Sequence, residues 1–566
     1  MHIPPADAEP DGADILFWGR IMDDLPEWAQ VAIIVVPILV LCIFGVIAKA
    51  RQEEQNDERI KEIKRQKLKS TGAHGSARFA DAAEHEAKGR FEAKGIYCGR
   101  TSDSDQQLYF NGHGHILTVG GTRAGKGTRL IVPNLLNNSF DGSTVVIDPK
   151  GELAAITHEA RKEAGHKVFF LNPWGLHGLP SMGLNPFDCL DPKSPSLISD
   201  ARLMANLIMV TDARGSQSAN YFNESAEQLI NMMILYVACC EPASRRNFIR
   251  LRQLINGSPA DWRKVIEKMS KTRKAYGTLK EGANRLAMWR SQDKGAGFSG
   301  ILSTAQQQID FLAGPEMQKA LKQSDFAIKD AIDNQATIYL IIPANRISGY
   351  RRWLRLMIGT IILNKYNHIK GKRMLFILDE FAALGKMQQI EDGIAEAAGH
   401  GVQLWPIVQD LSQLKKNYDD KWESFIANCE CKLFLGIRDM FTAKYISQMC
   451  GKATVVVESY NMSRSSGDSE TRSRGANYNE STGTNAGASD GHNMLAAGRE
   501  LITPDEVVSL PEGSGIGFMG TSRPTMLALP PYYEVPVLAS LAADNPYHQT
   551  ASPQSEPESV SADMRS

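Results

Sequence analysis

The sequence has almost no net charge. Across 566 residues, 63 Lys and Arg stand against 64 Asp and Glu, which leaves a formal net charge of −1. This balance excludes a protein that holds nucleic acid through a general basic excess, so any such surface must be local. The length exceeds that of one ordinary hydrophobic core, and it predicts two or three domains.

Cysteine is scarce and scattered, with eight residues in the whole chain. This spacing excludes a disulfide framework of the kind found in small secreted proteins. Cys429 and Cys431 lie close together, but a structural zinc site needs about four ligands in paired spacings, and no partner pair is present. We therefore expect structural thiols and a main body in a reducing cytosol.

Uncharged runs long enough to cross a bilayer are missing except at residues 29–48, "AQVAIIVVPILVLCIFGVIA". Twenty residues span the hydrocarbon core, and Pro37 is tolerable in a spanning helix. A buried core helix is the alternative. Trp28 at one border and Lys49 with Arg51 at the other favour a transmembrane helix.

The charges on either side of this run are unequal. The charged residues of the preceding segment 1–28 are acidic apart from Arg20, which also argues against a cleaved signal peptide, while residues 49–73 carry a cluster of Lys and Arg. The positive-inside rule predicts a periplasmic N-terminal segment at 1–28 and a cytoplasmic main body, joined by a charged, helical stalk at 49–73.

The rest of the chain alternates between short apolar runs and helical patterns. Runs that are apolar on both faces are typical of strands in a covered parallel sheet, which predicts an α/β fold. Seven such runs are "HILTVG" (115–120), "STVVID" (143–148), "KVFFLN" (167–172), "ATIYLII" (336–342), "RMLFILD" (373–379), "QLWPIV" (403–408) and "KLFLG" (432–436).

The gap between the third and fourth runs is too long for one crossover, and its patterns are helical. We expect an inserted all-α domain at 195–300, which divides a nucleotide-binding domain into parts at 74–194 and 301–535. A Ser-, Gly- and Asn-rich stretch predicts a flexible loop at 459–495, "SGIGFMG" with "PTMLALPPYY" predicts a terminal hairpin, and residues 536–566 predict a disordered tail.

The strongest local charge lies in the helical region. Residues 245–294 hold fourteen basic residues against four acidic ones. A solvated helix surface explains this composition, and so does a face that contacts a phosphate backbone or an acidic partner. The candidate substrate contacts are Arg245, Arg246, Arg250, Arg252, Arg263 and Lys264.

"GGTRAGKGT" follows the first strand and precedes a helix, the context of a phosphate-binding loop. The candidate nucleotide ligands are Gly120, Gly121, Thr122, Arg123, Ala124, Gly125, Lys126, Gly127 and Thr128. Gly127 stands where such loops carry the Ser or Thr that holds Mg²⁺. Either the helix starts later and Thr128 reaches the ion, or Asp379 and water hold it alone.

Polar residues follow other predicted strands. Asp379 can hold Mg²⁺ and Glu380 can polarise the attacking water, while Gln409 can sense the γ-phosphate or simply cap its strand. Three further residues, Asp148, Lys150 and Glu152, face the nucleotide or pair with one another. Two arginines are candidates for stabilising transition-state charge from a neighbouring subunit: Arg346 and Arg438.

Eight blocks, in this order, resemble those of the type IV secretion coupling ATPases of the TraG-like conjugative branch, over residues 74–533. They are "HGSARFA", "GGTRAGKGTRLIVPNLL", "VVIDPKGEL", "LNPFD", "LFILDEFAALG", "QLWPIVQDLSQL", "WESFIANC" and "LITPDEVVSLP". Two features depart from the family. Members often have two membrane spans where this chain has one, and "GIRD" replaces a "GNND"-like block.

The resemblance implies a RecA-like P-loop ATPase domain with an inserted all-α domain and an N-terminal transmembrane helix. It implies ATP and Mg²⁺ as ligands, with Lys126 on phosphate, Asp379 on Mg²⁺ and Glu380 in hydrolysis. It further implies a homo-hexamer at the bacterial inner membrane that brings a relaxase-bound DNA strand to the components of a type IV secretion channel.

Two other functions fit the same residues. The ATPase could recruit secreted protein substrates instead of DNA, because acidic protein tails would also bind a basic helical face. A membrane receptor or scaffold that binds nucleotide without hydrolysing it is the second alternative, and Gly127 is the feature that supports it.

Overall fold

The computed structural model describes residues 26–70, 72–210, 217–291, 297–368, 370–472 and 480–547. The chain forms two compact units, one of residues 1–76 and 452–499 and the other of residues 77–451 and 500–566. Most of the predicted periplasmic segment at 1–28 lies outside the described residues.

The first unit contains a single helix of 44 residues, Glu27–Ser70, which includes the predicted span at 29–48 and the predicted stalk from residue 49 as far as residue 70. Its part from Val35 to Lys67 is long and apolar enough to cross a membrane, with a window of mean hydropathy 1.8. Leu41, Phe44 and Val46 of this helix are exposed, as lipid-facing side chains are in a spanning helix. The orientation of the helix stays a prediction.

Two long strands complete this unit, Lys452–Arg472 and Glu480–Glu500, which pair with each other in a sheet of their own. Within the described residues these strands occupy 459–472 and 480–495, where a flexible loop was predicted, and residues 473–479 of that prediction lie outside the described part of the chain. Small polar side chains disfavour a buried strand, but they do not prevent two segments from satisfying each other's backbone hydrogen bonds. Composition alone therefore misled the prediction.

The second unit is built on an eleven-stranded sheet. Numbered in chain order, with β10 and β11 being the two strands of the first unit, its strands are β1 (Ile96–Thr101), β2 (Gln107–Phe110), β3 (His115–Gly120), β4 (Ser143–Asp148), β5 (Lys167–Leu171), β6 (Ala336–Ile341), β7 (Met374–Leu378), β8 (Val402–Val408), β9 (Cys429–Leu435), β12 (Ser514–Met519) and β13 (Thr525–Ala528). Their order in the sheet is β2-β1-β13-β12-β9-β3-β8-β7-β4-β6-β5. Strands β9, β3, β8, β7, β4, β6 and β5 are parallel, and β12, β13, β1 and β2 form an antiparallel edge.

All seven apolar runs are strands of the parallel part, and the predicted terminal hairpin is present as β12 and β13. Two hydrophobic clusters cover the two faces of the sheet, which is why these strands lack the alternation of a half-exposed sheet. The strands β1 and β2, at Ile96–Thr101 and Gln107–Phe110, were not predicted.

Helices connect these strands and cover both faces. They are Ala82–Ala87, Val132–Asn137, Glu152–Glu163, Leu197–Ile208, Gln217–Cys240, Phe248–Ile255, Pro259–Lys271, Thr278–Ser291, Gly297–Ile309, Pro315–Ala320, Ile328–Asp333, Ile347–Asn367, Gln388–Glu396, Leu411–Tyr418, Trp422–Asn428, Met440–Cys450, Pro504–Val508 and Pro536–Leu541.

The region between β5 and β6 is helical, as predicted, but it does not separate as a compact unit of its own. Its apolar side chains belong to the same hydrophobic cluster as one face of the sheet. The helix Leu197–Ile208 packs closely on Ile347–Asn367, since a Cβ atom at Gly359 would lie 2.3 Å from Leu207 Cδ2. The boundaries 195–300 therefore stay a prediction.

The tail predicted at 536–566 is wrong over its first part. Residues Pro536–Leu541 are a helix in which Leu538 is buried, and Ala543 N donates to the carbonyl of Ile156 at 2.9 Å. The apolar side chains of this short segment are enough to dock it on the second unit. Residues 548–566 lie outside the described part of the chain.

Replacing Leu538 with alanine should lower the free energy of unfolding by about 2–3 kcal/mol, because a buried side chain leaves a cavity. The neighbouring Val537 is 68% exposed, so Val537→Ala is a matched control that should cost less than about 0.5 kcal/mol. Urea unfolding of the two variants measures both effects. Equal stabilities would contradict the docked helix.

Candidate functional site

The phosphate loop joins β3 to the next helix through a tight turn. Arg123 and Gly125 both have left-handed backbones, with φ of 63° and 79°, and Ala124 N donates to the Gly121 carbonyl at 3.1 Å. A left-handed φ is uncommon outside glycine. Successive residues in such conformations can direct backbone N–H groups towards one point, which suits an anion.

A glycine directly after the neighbouring strand β9 leaves room for this loop. A Cβ atom on Gly121 would lie 2.5 Å from the Gly436 carbonyl oxygen, and one on Gly436 would lie 2.6 Å from Ala124 Cβ. Gly436 also has a φ of 55°, so a side chain there would be strained as well as crowded. The "LGIRD" block thus supports the loop through its glycine.

The helix after the loop opens with a wide turn. Lys126 is already helical, and residues Gly127–Ile131 form a π-helical turn closed by Val132 N donating to the Gly127 carbonyl. Turns of this kind are concentrated at functional sites. The helix therefore does not start late, as one alternative required. The Thr128 hydroxyl donates a hydrogen bond to the Gly125 carbonyl, with Oγ1 at 3.3 Å from the carbonyl oxygen.

One cavity of about 630 Å³ gathers most of the predicted nucleotide site. Its walls come from the carboxyl ends of β4 and β7 and from the loop after β3, as expected for parallel strands that meet at one edge. The predicted site residues that line it are Arg123, Ala124, Gly125, Lys126, Gly127, Thr128, Asp148, Lys150, Glu152, Asp379 and Glu380.

Asp379 lies at the floor of this cavity, largely enclosed by protein. Desolvation by burial, and then the Glu380 carboxylate, raise the pKa of Asp379 to about 6, while the Lys126 ammonium opposes this shift. Burial likewise raises the pKa of Asp148 to about 6. Four acidic residues, Asp148, Glu152, Asp379 and Glu380, thus line one cavity together with Lys126, and such a cluster of perturbed groups in a concave space is typical of a functional site.

Glu380 is held in a left-handed conformation, with φ 52° and ψ 38°. Such backbones are costly for a residue other than glycine and persist where surrounding contacts impose them. Its carboxylate Oε2 accepts from Gln409 Nε2 at 3.4 Å, and Gln409 Oε1 accepts from Thr122 Oγ1 at 3.4 Å. Gln409 therefore joins the phosphate loop to the acidic pair.

The lysine of the loop contacts the loop itself. Lys126 Nζ donates to the carbonyls of Gly120 and Gly121 at 2.9 and 3.2 Å. Arg438 is exposed, and Arg346 lies 3.8 Å from Glu316. Neither arginine lines the cavity of its own chain within the described residues.

The basic candidates do not form a single free face. Arg250 donates to Glu241 Oε1 at 3.0 Å, Arg245 lies 3.8 Å from Glu241 Oε2, and Arg246 donates to the Glu241 carbonyl at 3.0 Å. Glu241 is buried and precedes the counted segment, so the sequence analysis missed its role. The remaining candidates are half-buried or exposed: Arg252, Arg263 and Lys264.

Two further residues were missed because they fall in the segment predicted as a disordered tail. Asn545 Nδ2 donates to Glu152 Oε1 at 2.7 Å, and the Tyr547 hydroxyl donates to the Lys150 carbonyl at 3.2 Å. Both therefore hold residues that line the cavity. Tyr547 is an aromatic residue in an otherwise polar tail, and this was the available signal. The sequence alone does not predict that its partner is Lys150.

The family model described as type IV secretory system conjugative DNA transfer matches residues 70–565. The chain belongs to this family. The match covers the described second unit, including the phosphate loop, the acidic pair and Gln409.

Two relatives are similar to this chain over most of its length. The chain is 28% identical over 424 residues to the conjugal transfer protein TraG of Escherichia coli, covering 68% of this chain and 65% of that protein. It is 29% identical over 421 residues to the protein VirD4 of Rhizobium radiobacter, covering 70% and 58%. The chain therefore spans less than two thirds of the length of these relatives.

The solved structures of the plasmid coupling protein TrwB have the same fold. TrwB with the ATP analogue ADPNP superposes with a TM-score of 0.57 at 15% identity, covering 80% of this chain and 93% of TrwB. TrwB with ADP and Mg²⁺ gives 0.56 at 16% identity, covering 80% and 93%. The mostly parallel sheet with its helices is thus a TrwB-like fold.

The raised pKa of Asp379 predicts a pH-dependent stability difference between the protein and its Asp379→Asn variant, without nucleotide or Mg²⁺. Above about pH 6 the folded protein carries an ionised carboxylate that is costly to desolvate. The variant should therefore have the higher melting temperature there. The difference should vanish as the pH falls below the ordinary value of 3.8, because the carboxyl is then protonated in both states. Thermal melting across this range measures it, and a pH-independent difference would contradict the assignment.

Proposed function

We propose that the protein is an ATP-hydrolysing coupling protein of a type IV secretion system, which delivers relaxase-bound DNA to the secretion channel. One observation carries this proposal. The phosphate loop and the acidic pair Asp379-Glu380 face each other in one cavity, and Gln409 bonds to both. A site built only to bind nucleotide does not need an acid linked to the phosphate loop in this way.

The loop supplies the phosphate contacts. Lys126 would exchange the carbonyls of Gly120 and Gly121 for the outer phosphates of ATP, whose charge attracts the ammonium more strongly than a neutral carbonyl does. The helix that begins at Lys126 adds the favourable end of its dipole.

The oxygen atoms present suit Mg²⁺, which binds proteins through one or two carboxylates together with substrate phosphates. Asp379 and Thr128 would hold it, and the ion would neutralise charge on the phosphates. The helix does not start late, but Thr128 still lines the cavity within the wide turn, with its hydroxyl beside the Gly125 carbonyl, so Gly127 does not remove every hydroxyl from the site. The role of Thr128 stays a prediction.

Glu380 and Gln409 divide the remaining work. The Glu380 carboxylate would take a proton from the attacking water, since its left-handed backbone and its bond to Gln409 fix its direction. Gln409 also contacts Thr122. Any shift of the loop after the γ-phosphate leaves would therefore reach the base through one side chain.

Neighbouring subunits would complete the site. Arg346 and Arg438 lie outside the cavity of their own chain, which fits an arginine supplied across an interface in a homo-hexamer. The apolar part of the helix Glu27–Ser70 would anchor each subunit in the bacterial inner membrane as a single span, with a periplasmic N-terminus and a cytoplasmic main body.

The exposed basic residues Arg263 and Lys264 favour a DNA backbone as substrate, although Glu241 holds three of the other candidates. Recruitment of secreted protein substrates by the same ATPase is the second candidate. The exposed positions would serve an acidic protein surface in the same manner.

The test compares ATP hydrolysis by the full-length protein, with and without single-stranded DNA, to that of Lys126→Ala and Glu380→Gln. Each variant should lose at least about 100-fold in turnover. Lys126→Ala removes the ammonium that neutralises charge on the phosphates, and Glu380→Gln removes the general base. Glu380→Gln should still bind nucleotide. Lys416 is exposed on the helix Leu411–Tyr418, so Lys416→Ala is a matched control that should retain activity.

Absence of turnover in the unmodified protein, with DNA or without it, would contradict hydrolysis and support a receptor or scaffold. Stimulation by an acidic secreted protein but not by DNA would replace the DNA substrate with a protein one.

A further inference from the structure

A single buried arginine connects two parts of the second unit that are distant in sequence. Arg355 lies on the helix Ile347–Asn367 and is 2% exposed. Its guanidinium donates to four backbone carbonyls: those of Leu207 at 2.9 Å, Met209 at 3.1 Å, Leu384 at 3.2 Å and Lys386.

The first two carbonyls, those of Leu207 and Met209, lie at the C-terminal end of a helix in the region between β5 and β6. Leu207 is in the last turn of Leu197–Ile208, and Met209 is its C-terminal cap. The final carbonyls of a helix lack partners within it and carry partial negative charge. A guanidinium at this position donates hydrogen bonds to carbonyls that have no partner within the helix, and its positive charge interacts favourably with the negative end of the helix dipole.

The second pair belongs to the segment that leaves the acidic pair. The turn Phe381–Leu384 begins directly after Glu380, and Gly385, with a φ of 70°, ends it. Leu384 and Lys386 thus sit at the far end of the turn that positions Glu380. One side chain therefore caps this turn and a helix of the inserted region at the same time.

The helix that carries Arg355 also starts at the nucleotide cavity, since Ile347 and Ser348 line it. Further along the same helix, Gly359 packs against Leu207. Next to this contact, Gln389 Nε2 donates to Asn206 Oδ1 at 2.9 Å. The cavity, the Glu380 turn and the helix Leu197–Ile208 are therefore in continuous contact.

Because Arg355 is charged, separating either of the two segments from its guanidinium would be energetically costly. Burial lowers the pKa of Arg355 to about 10, so it remains a cation at neutral pH. All four acceptors named above are neutral carbonyls. If either segment moved away, buried N–H donors of a cation would lose their partners, which costs more than the loss of a neutral hydrogen bond. The two segments are thus favoured to move together.

We propose that Arg355 is a positioning residue that transmits changes at the nucleotide site to the helix Leu197–Ile208. This rests on the proposed function, because it takes nucleotide binding in the cavity as the change that is transmitted. Arg355 touches neither the reacting atoms nor the substrate. It acts by holding the Glu380 turn and the helix end in one arrangement.

Hydrogen exchange of the full-length protein tests this proposal, with the ATP analogue ADPNP and Mg²⁺ as the probe. In the unmodified protein, the analogue should change the exchange protection of both 381–387 and 197–209. In Arg355→Met, the change at 381–387 should persist and the change at 197–209 should be lost. Arg161 is an equally buried arginine whose guanidinium donates to Thr337 Oγ1 at 2.9 Å and Asn138 Oδ1 at 2.8 Å, outside both segments, and Arg161→Met should keep both changes.

A folded Arg355→Met variant that keeps both changes would overturn the proposal, as would an unmodified protein that responds at 381–387 alone. If the methionine variant does not fold, Arg355→Lys decides. A compact ammonium cannot reach both pairs of carbonyls, so the response at 197–209 should be lost there too, and its full retention would overturn the proposal.

The outcomes separate this inference from the proposed function. Binding of the analogue with both responses, but without ATP turnover, would contradict hydrolysis and leave the coupling supported. Failure to bind the analogue at all would overturn both.

Discussion

The enclosure of the Asp379 carboxylate beside the Lys126 ammonium is the interaction on which the rest of the site depends. A carboxylate so desolvated has a raised pKa, and the Lys126 ammonium opposes this shift more than any other group, followed by the backbone N–H of Glu380. The loop that carries Lys126 is positioned by a backbone contact on the other side of β3, where Gly121 packs against Gly436 at the end of β9. A Cβ atom on either glycine would clash, so the position of the lysine beside Asp379 depends on a close approach of two backbone segments.

The sheet order explains why the remaining polar residues fall into place. β8 lies between β3, which carries the loop, and β7, which carries the acidic pair. A polar residue at the end of β8 is therefore between the two by construction, and Gln409 occupies that position. Arg355 makes a similar connection farther from the cavity, because it donates hydrogen bonds both to the turn after Glu380 and to the end of the helix Leu197–Ile208.

Local patterns predicted the parallel strands and the residues at their ends, because burial on both faces leaves a signature in a few consecutive residues. Partners distant in sequence were beyond reach: Glu241 for the arginines, and Asn545 for Glu152. The strands at 452–472 and 480–500 were missed for a different reason. Backbone pairing stabilises them, and a composition poor in apolar residues does not reveal it.

The most direct test of the central claim is an electron cryo-microscopy structure of the full-length protein with ADPNP and Mg²⁺. We expect the terminal phosphate in contact with Lys126 Nζ, released from the carbonyls of Gly120 and Gly121, with Asp379 and Glu380 on the other side of the phosphate. A nucleotide bound elsewhere, or phosphates that Lys126 does not reach, would contradict the account.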